Sequence, residues 1–218
     1  MKIFVDTGSI KDIEAIAALG ILDGVTTNPS LLAKEQGDFH QNLKKICNIV
    51  KGPVSGEVTA TDFAGMIAQG HEIAAIDEHM VVKVPLTRDG IRACKALSGE
   101  GLRVNVTLVF SAAQALLAAK VGATFVSPFV GRLDDIATNG MELIREIVAI
   151  YHNYEFRTEV LVASCRHPMH VVEAARMGAD IATCPPAVID ALFNHPLTTI
   201  GLQKFLSDWE KVHAAVKA

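Results

Sequence analysis

A lysine stands in the middle of the apolar run Val81-Val82-Lys83-Val84-Pro85. In a barrel strand such a lysine cannot be a solvated surface charge, and lysine is almost never fully buried without a reason. Desolvation disfavours the ammonium form and frees a neutral amine to act as a nucleophile, which is what a Schiff base with a carbonyl substrate requires. The alternatives are a stabilising ion pair with Asp6 or Glu57, or an exposed strand end. Forming an imine and cleaving a C–C bond each move protons, and Asp6 and Glu57 close two other apolar runs from which a carboxylate can transfer them. Arg132 and Arg166 follow two further runs, where bidentate contacts would hold a sugar phosphate. For Arg132 the bland alternative is a salt bridge to Asp134 or Asp135.

These side chains need a frame, and the chain has a rhythm that supplies one. Short apolar, β-branched runs at Ile3–Asp6, Val25–Thr27, Val54–Val58, Val81–Val84, Val104–Thr107, Thr124–Ser127, Val160–Ala163 and Ile181–Thr183 alternate with stretches of helical period. The helical stretches begin at residues suited to capping, among them Ser9, Asp62, Thr87 and Ser111. Eight such units predict an α/β protein, a single (β/α)8 TIM barrel, over an open doubly wound sheet. Residues 1–218 read as one domain, with 198–218 as an extra C-terminal helix. Its apolar stripe (Leu202, Phe205, Leu206, Trp209, Val212, Val216) fits either packing across the barrel end or an arm reaching a neighbouring subunit.

Active sites of such barrels lie at the C-terminal strand ends. Strand side chains alternate with period two, so Thr26 with Asn28, Asn105 with Thr107, Ser127 with Phe129, and Ser164 with Arg166 form pairs that share an inward polar mouth. Other matches fail. Gly65 and Gly70 have P-loop spacing, but His71-Glu72 follows in place of Lys-Ser/Thr. His167 and His170 lack an obvious third ligand and read as a surface pair, so no metal site is expected.

The composition narrows the remaining choices. The 218 residues carry 20 Lys+Arg against 24 Asp+Glu, with no basic run to attract nucleic acid or an anionic membrane. No uncharged stretch is apolar enough to span a membrane. The four cysteines (Cys47, Cys94, Cys165, Cys184) form no C-x-x-C pair and fit buried thiols in a reducing cytoplasm.

Five motifs carry a family resemblance: Phe4-Val5-Asp6-Thr7, Gly24-Val25-Thr26-Thr27-Asn28-Pro29-Ser30-Leu31, Val82-Lys83-Val84-Pro85, Asn105-Val106-Thr107-Leu108 and Ser127-Pro128-Phe129-Val130-Gly131-Arg132. Together they resemble the transaldolases, particularly their small subfamily, and the chain is similar to the fructose-6-phosphate aldolases of that subfamily. The likeness runs over residues 1–210. It implies a cofactor-free class I aldolase barrel of the pentose phosphate pathway. Such an enzyme moves a dihydroxyacetone unit from sedoheptulose 7-phosphate to glyceraldehyde 3-phosphate, giving erythrose 4-phosphate and fructose 6-phosphate.

By that resemblance Lys83 forms the Schiff base, Asp6 takes the C4 hydroxyl proton, and Glu57 with Thr107 activates a catalytic water. Asn28, Asn105, Ser127 and Ser164 contact the dihydroxyacetone moiety or support the site, and Arg132 with Arg166 clamps phosphate. The resemblance further implies a homo-oligomer, a decamer of two pentameric rings with exchanged C-terminal helices. The aldolase branch carries Gln in place of Glu57 and Tyr in place of Phe129, so both positions follow the transaldolase pattern; a fructose-6-phosphate aldolase is the alternative. A sugar-phosphate-binding barrel without catalysis is a third reading. Gly56 departs from the usual pattern and leaves open how firmly Glu57 is held.

Overall fold

The computed structural model describes residues 1–217, with side chains through His213. Eight parallel strands close into a barrel in chain order: β1 (Lys2–Asp6), β2 (Gly24–Thr26), β3 (Val54–Glu57), β4 (Met80–Pro85), β5 (Val104–Val109), β6 (Phe125–Pro128), β7 (Glu159–Val162) and β8 (Ile181–Cys184). The open-sheet alternative is thereby excluded, because β8 pairs with β1 from Lys2↔Ile181 to Val5↔Cys184.

Around the strands run α1 (Ile10–Ala17), α2 (Pro29–Leu32), α3 (Phe39–Val50), α4 (Phe63–Ala74), α5 (Arg88–Gly99), α6 (Ala112–Lys120), α7 (Val130–Asp134), α8 (Gly140–Asn153), α9 (Pro168–Met177), α10 (Pro186–Ala191) and α11 (Pro196–Lys217). Ser9, Asp62, Thr87 and Ser111 each cap a helix, their side chains accepting from one of the backbone N–H groups that the first turn leaves open, at Asp12, Gly65, Gly90 and Gln114. The short helices α2, α7 and α10 have too few residues to show a period, and the sequence reading did not include them.

Apolar residues fill both sides of the strand ring. The larger core lies between strands and helices; a smaller cluster of Phe4, Val81, Phe125, Leu161, Ala163 and Ile181 plugs the barrel interior. Phe4 and Phe125 meet edge to face inside it, with centroids 6.1 Å apart. Gly24 makes room for this plug, since a Cβ there would lie 2.5 Å from the Phe4 ring. Gly56 points the other way, into the helix layer, where a Cβ would lie 2.8 Å from Met80 and 3.0 Å from Ile73. The glycine therefore lets Leu43 of α3 and Ile73 of α4 pack closely against β3 behind Glu57.

The C-terminal helix α11 exposes Leu197, Ile200, Leu202, Phe205, Leu206, Trp209 and Val212. Packing of the stripe across the barrel end is contradicted: these side chains meet solvent within the chain. Of the expected arm, the Val216 side chain and Ala218 lie outside the described residues. Among the described residues no helix is long and apolar enough to cross a membrane, and the four cysteines are buried and free.

Candidate active site

Strand register brings the central groups together. Glu57 on β3 is level with Lys83 on β4, which in turn is level with Asn105 on β5. Lys83 is 5% exposed. Its Nζ donates to the Thr27 carbonyl at 3.1 Å and lies 3.0 Å from Glu57 Oε2. So the exposed-strand-end reading is ruled out, and the ion pair offered as an alternative is present, with Glu57. Lys83 nevertheless lines a cavity of about 210 Å³ at the C-terminal end of the barrel.

The wall of that cavity holds Asp6, Thr26, Asn28, Thr107, Ser127, Phe129, Arg132, Ser164 and Arg166, nine further residues singled out from the sequence. Two others stand behind the wall. Glu57 reaches Lys83 from β3, and Asn105 is fully buried beneath the cavity. The Asn105 amide donates to Ser55 Oγ at 3.2 Å and its carbonyl oxygen accepts from Ser127 Oγ at 2.8 Å, so it fixes Ser127 from below.

Sequence reasoning missed Ser55, Thr183 and Cys165. Thr183 ends the eighth apolar run two residues after the inward Ile181, and the period-two rule applied there would have placed it inside. Its hydroxyl lies 2.6 Å from Thr26 Oγ1, and Thr26 donates to Asp6 Oδ1 at 2.7 Å. Since Thr26 has one hydroxyl proton, Thr183 must be the donor between them, giving a directed chain Thr183→Thr26→Asp6. Burial pushes the Asp6 carboxyl above the ordinary carboxylate range, against the Thr26 hydrogen bond and the charge of Lys83. Cys165 also lines the cavity, but its neighbour Cys184 and burial raise its thiol well above the ordinary value, so it is a poor nucleophile.

Thr107 is different. Its Oγ1 is the one buried side-chain nitrogen or oxygen without a hydrogen-bond partner among the described residues. An orphaned buried hydroxyl costs about 1–3 kcal/mol, and this one faces the cavity. The backbone beside it is strained as well: β5 bulges between Val106 and Val109, with Leu108 at φ 58°. Across the cavity Ser164 sits at φ 61°. Non-glycine residues in the left-handed region persist where the surroundings over-determine them, often at sites of function.

The mouth is aromatic and basic. Phe129 lies against Phe110 with centroids 5.8 Å apart, and the Arg132 guanidinium stands 5.0 Å over the Phe129 ring. Neither carboxylate suggested as a partner for Arg132 takes it. Asp135 Oδ2 accepts from Arg166 at 2.9 Å, and Asp134 Oδ2 pairs with His170 at 2.9 Å. His170 is buried, which corrects the reading of His167 and His170 as a surface pair. Among the described residues no group of three or more His, Cys, Asp or Glu is placed to hold a metal ion.

Fold and site together define an α/β barrel protein with a lysine and two carboxylates at its C-terminal mouth. Its solved neighbours include a mutant flavocytochrome b2 with pyruvate bound, at TM-score 0.60 and 14% identity, covering 85% of this chain and 57% of that one. At that identity the likeness concerns the fold alone. The chain belongs to the transaldolase/fructose-6-phosphate aldolase family of enzymes, whose model matches residues 3–217. Among its relatives, the probable transaldolase of Anaeromyxobacter sp. (strain K) is 58% identical over 217 residues, covering 100% of both chains. That of Kosmotoga olearia is 56% identical over 211 residues, 97% of each chain. The probable transaldolase of Nitrosopumilus maritimus is 57% identical over 215 residues, 98% of this chain and 97% of its own.

Proposed function

We propose that this chain is a transaldolase that moves a dihydroxyacetone unit from sedoheptulose 7-phosphate to glyceraldehyde 3-phosphate through an imine on Lys83, as a step of the pentose phosphate pathway. The observation that carries the reading is the position of the Lys83 amine, 5% exposed, on a cavity it shares with Asp6 and 3.0 Å from Glu57. Glu57 is placed to take the ammonium proton, and the freed amine attacks the ketose C2 carbonyl. The carbinolamine hydroxyl leaves as water with the proton returned by Glu57, giving the protonated imine. Asp6, ionised, then takes the C4 hydroxyl proton as the C3–C4 bond breaks, and the electrons of that bond pass to the iminium nitrogen to leave the enamine. Erythrose 4-phosphate leaves. The remaining enamine attacks the acceptor aldehyde, the new alkoxide regains the proton from Asp6, and water releases fructose 6-phosphate.

Thr107, with its unpaired hydroxyl on the same cavity as the amine, suits the water that leaves and returns. Thr26, Asn28, Ser127 and Ser164 supply polar contacts for the dihydroxyacetone hydroxyls, with Asn105 supporting Ser127. Arg132 and Arg166 at the mouth suit the phosphate. Phe129 offers no hydroxyl to hold a hydrolytic water, which favours transfer over release of free dihydroxyacetone. We read residues 1–218 as one barrel domain whose arm, 198–218, joins copies into a decamer of two pentameric rings, because the apolar residues of α11 are exposed in the single chain. The buried free thiols support a cytoplasmic location.

Borohydride added with fructose 6-phosphate should leave a reduced dihydroxyacetone adduct on the Lys83 peptide, read by peptide mass. An unmodified peptide with turnover intact would overturn the imine. Steady release of dihydroxyacetone from fructose 6-phosphate alone would instead identify the aldolase, whereas the transferase depends on erythrose 4-phosphate.

A further inference from the structure

The two arginines at the mouth belong to different segments: Arg132 to α7, and Arg166 to the loop between β7 and α9. One buried side chain ties these segments together. The Arg166 backbone N–H donates to His170 Nδ1 at 3.2 Å, while His170 Nε2 lies 2.9 Å from Asp134 Oδ2, on the last residue of α7. The other oxygen of Asp134 accepts from the Gly140 N–H at 2.9 Å, so the carboxylate is itself held in place.

This arrangement dictates the tautomer. A backbone N–H only donates, so Nδ1 must carry a lone pair, and the single ring proton sits on Nε2, facing Asp134. A second proton could go only to Nδ1, where it would meet the Arg166 N–H and break that bond. We propose that neutral His170 is a positioning residue that sets the spacing of Arg166 and Arg132 for the substrate phosphate, and that its protonation releases Arg166. The proposal rests on the sugar-phosphate reading above.

The surroundings favour the neutral ring. Burial and the neighbouring His167, whose ring centroid is 3.8 Å away, hold His170 below the ordinary imidazole range. Asp134 on α7 and Glu173 on α9 pull the other way. Of the remaining charges on the bracket, Arg166 and Asp135 neutralise each other at 2.9 Å, and Arg132 of α7 stands over the Phe129 ring. The fit between the two segments is close: a Cβ on Gly131 of α7 would lie 2.6 Å from Arg166 Nε. A small displacement of either segment therefore moves an arginine.

His170→Phe fills the space without either bond, whereas His170→Asn keeps an acceptor where Nδ1 stood and cannot titrate. Steady-state kinetics with fructose 6-phosphate or fructose as donor, each with the same non-phosphorylated aldehyde acceptor, then separate the possibilities. His170→Phe should raise KM for fructose 6-phosphate about tenfold, the effect of about one hydrogen bond, with kcat within about twofold and the constants for fructose unchanged. His170→Asn should recover most of the KM. From about pH 7.5 to about pH 5 the KM of the parent should climb more steeply than that of His170→Asn, since titration of the substrate phosphate is common to both. Phosphate discrimination left intact in both variants, equal loss with fructose, or parallel pH profiles would overturn the role of His170. A parent that treats fructose and fructose 6-phosphate alike would instead defeat the phosphate reading itself. Should His170→Phe not fold, the pH comparison with His170→Asn decides alone.

Discussion

The two ends of the barrel interior are built from the same strands by opposite rules. At the N-terminal end Phe4, Val81, Phe125, Leu161 and Ile181 interlock without a polar atom among their side chains. Two residues further along four of those strands the inward positions become Asp6, Lys83, Ser127 and Thr183. The apolar end is close-packed and requires Gly24 to accommodate Phe4. The polar end leaves a cavity of about 210 Å³, an unpaired Thr107 hydroxyl and two non-glycine residues in the left-handed region. Packing and polar chemistry are thus separated along the strand axis, and the unsatisfied Thr107 hydroxyl lies where substrate would enter.

If that division holds, substitutions at the two ends should fail in different assays. The largest effect belongs to Lys83→Met, which should lose turnover by several orders of magnitude, because covalent catalysis has no substitute group. Thermal unfolding should stay cooperative. Glu57, left without its partner, lowers the midpoint, and adding Glu57→Gln should restore it. Retained turnover in Lys83→Met would remove the polar end's claim to chemistry. At the other end, Phe4→Ala should cost about 3–5 kcal/mol in urea denaturation, while turnover per folded molecule stays within about twofold. A loss of turnover as deep as that of Lys83→Met would erase the distinction between the ends.

The division also explains what could be read from the sequence. All eight strands were legible because strands buried on both faces read as short β-branched runs, and the caps at Ser9, Asp62, Thr87 and Ser111 marked four helix starts. Much of the candidate site was legible where a polar residue interrupts or ends such a run, as Lys83, Asp6 and Thr107 do, although Ser55 and Thr183 do the same and were missed. What stayed hidden depends on contacts between distant segments. Nothing local distinguishes Gly56 as a seat for Met80 and Ile73, or says that Asp135 prefers Arg166 to Arg132. His170 looked like one of a surface pair because its spacing from His167 is local, whereas its burial depends on how α9 packs beside α7.

The smallest effect tests whether the polar end is unsettled even at rest. Burial raises the Asp6 carboxyl in the native state, so the folded protein holds that proton to higher pH than the unfolded chain does. The native state therefore binds more protons within that window, and its stability falls as pH rises through it. Above that window the ionised, buried Asp6 is a net cost to the fold. Asp6→Asn keeps an acceptor for the Thr26 hydroxyl and removes the charge, so it should melt above the parent there. The gap should close as pH falls below the ordinary carboxylate range, where the parent's Asp6 is protonated in both states. Paired melts from acid to alkaline pH measure it. A variant that melts below the parent at every pH would mean that Thr26 and Lys83 outweigh burial, leaving Asp6 as settled as the phenylalanines beneath it.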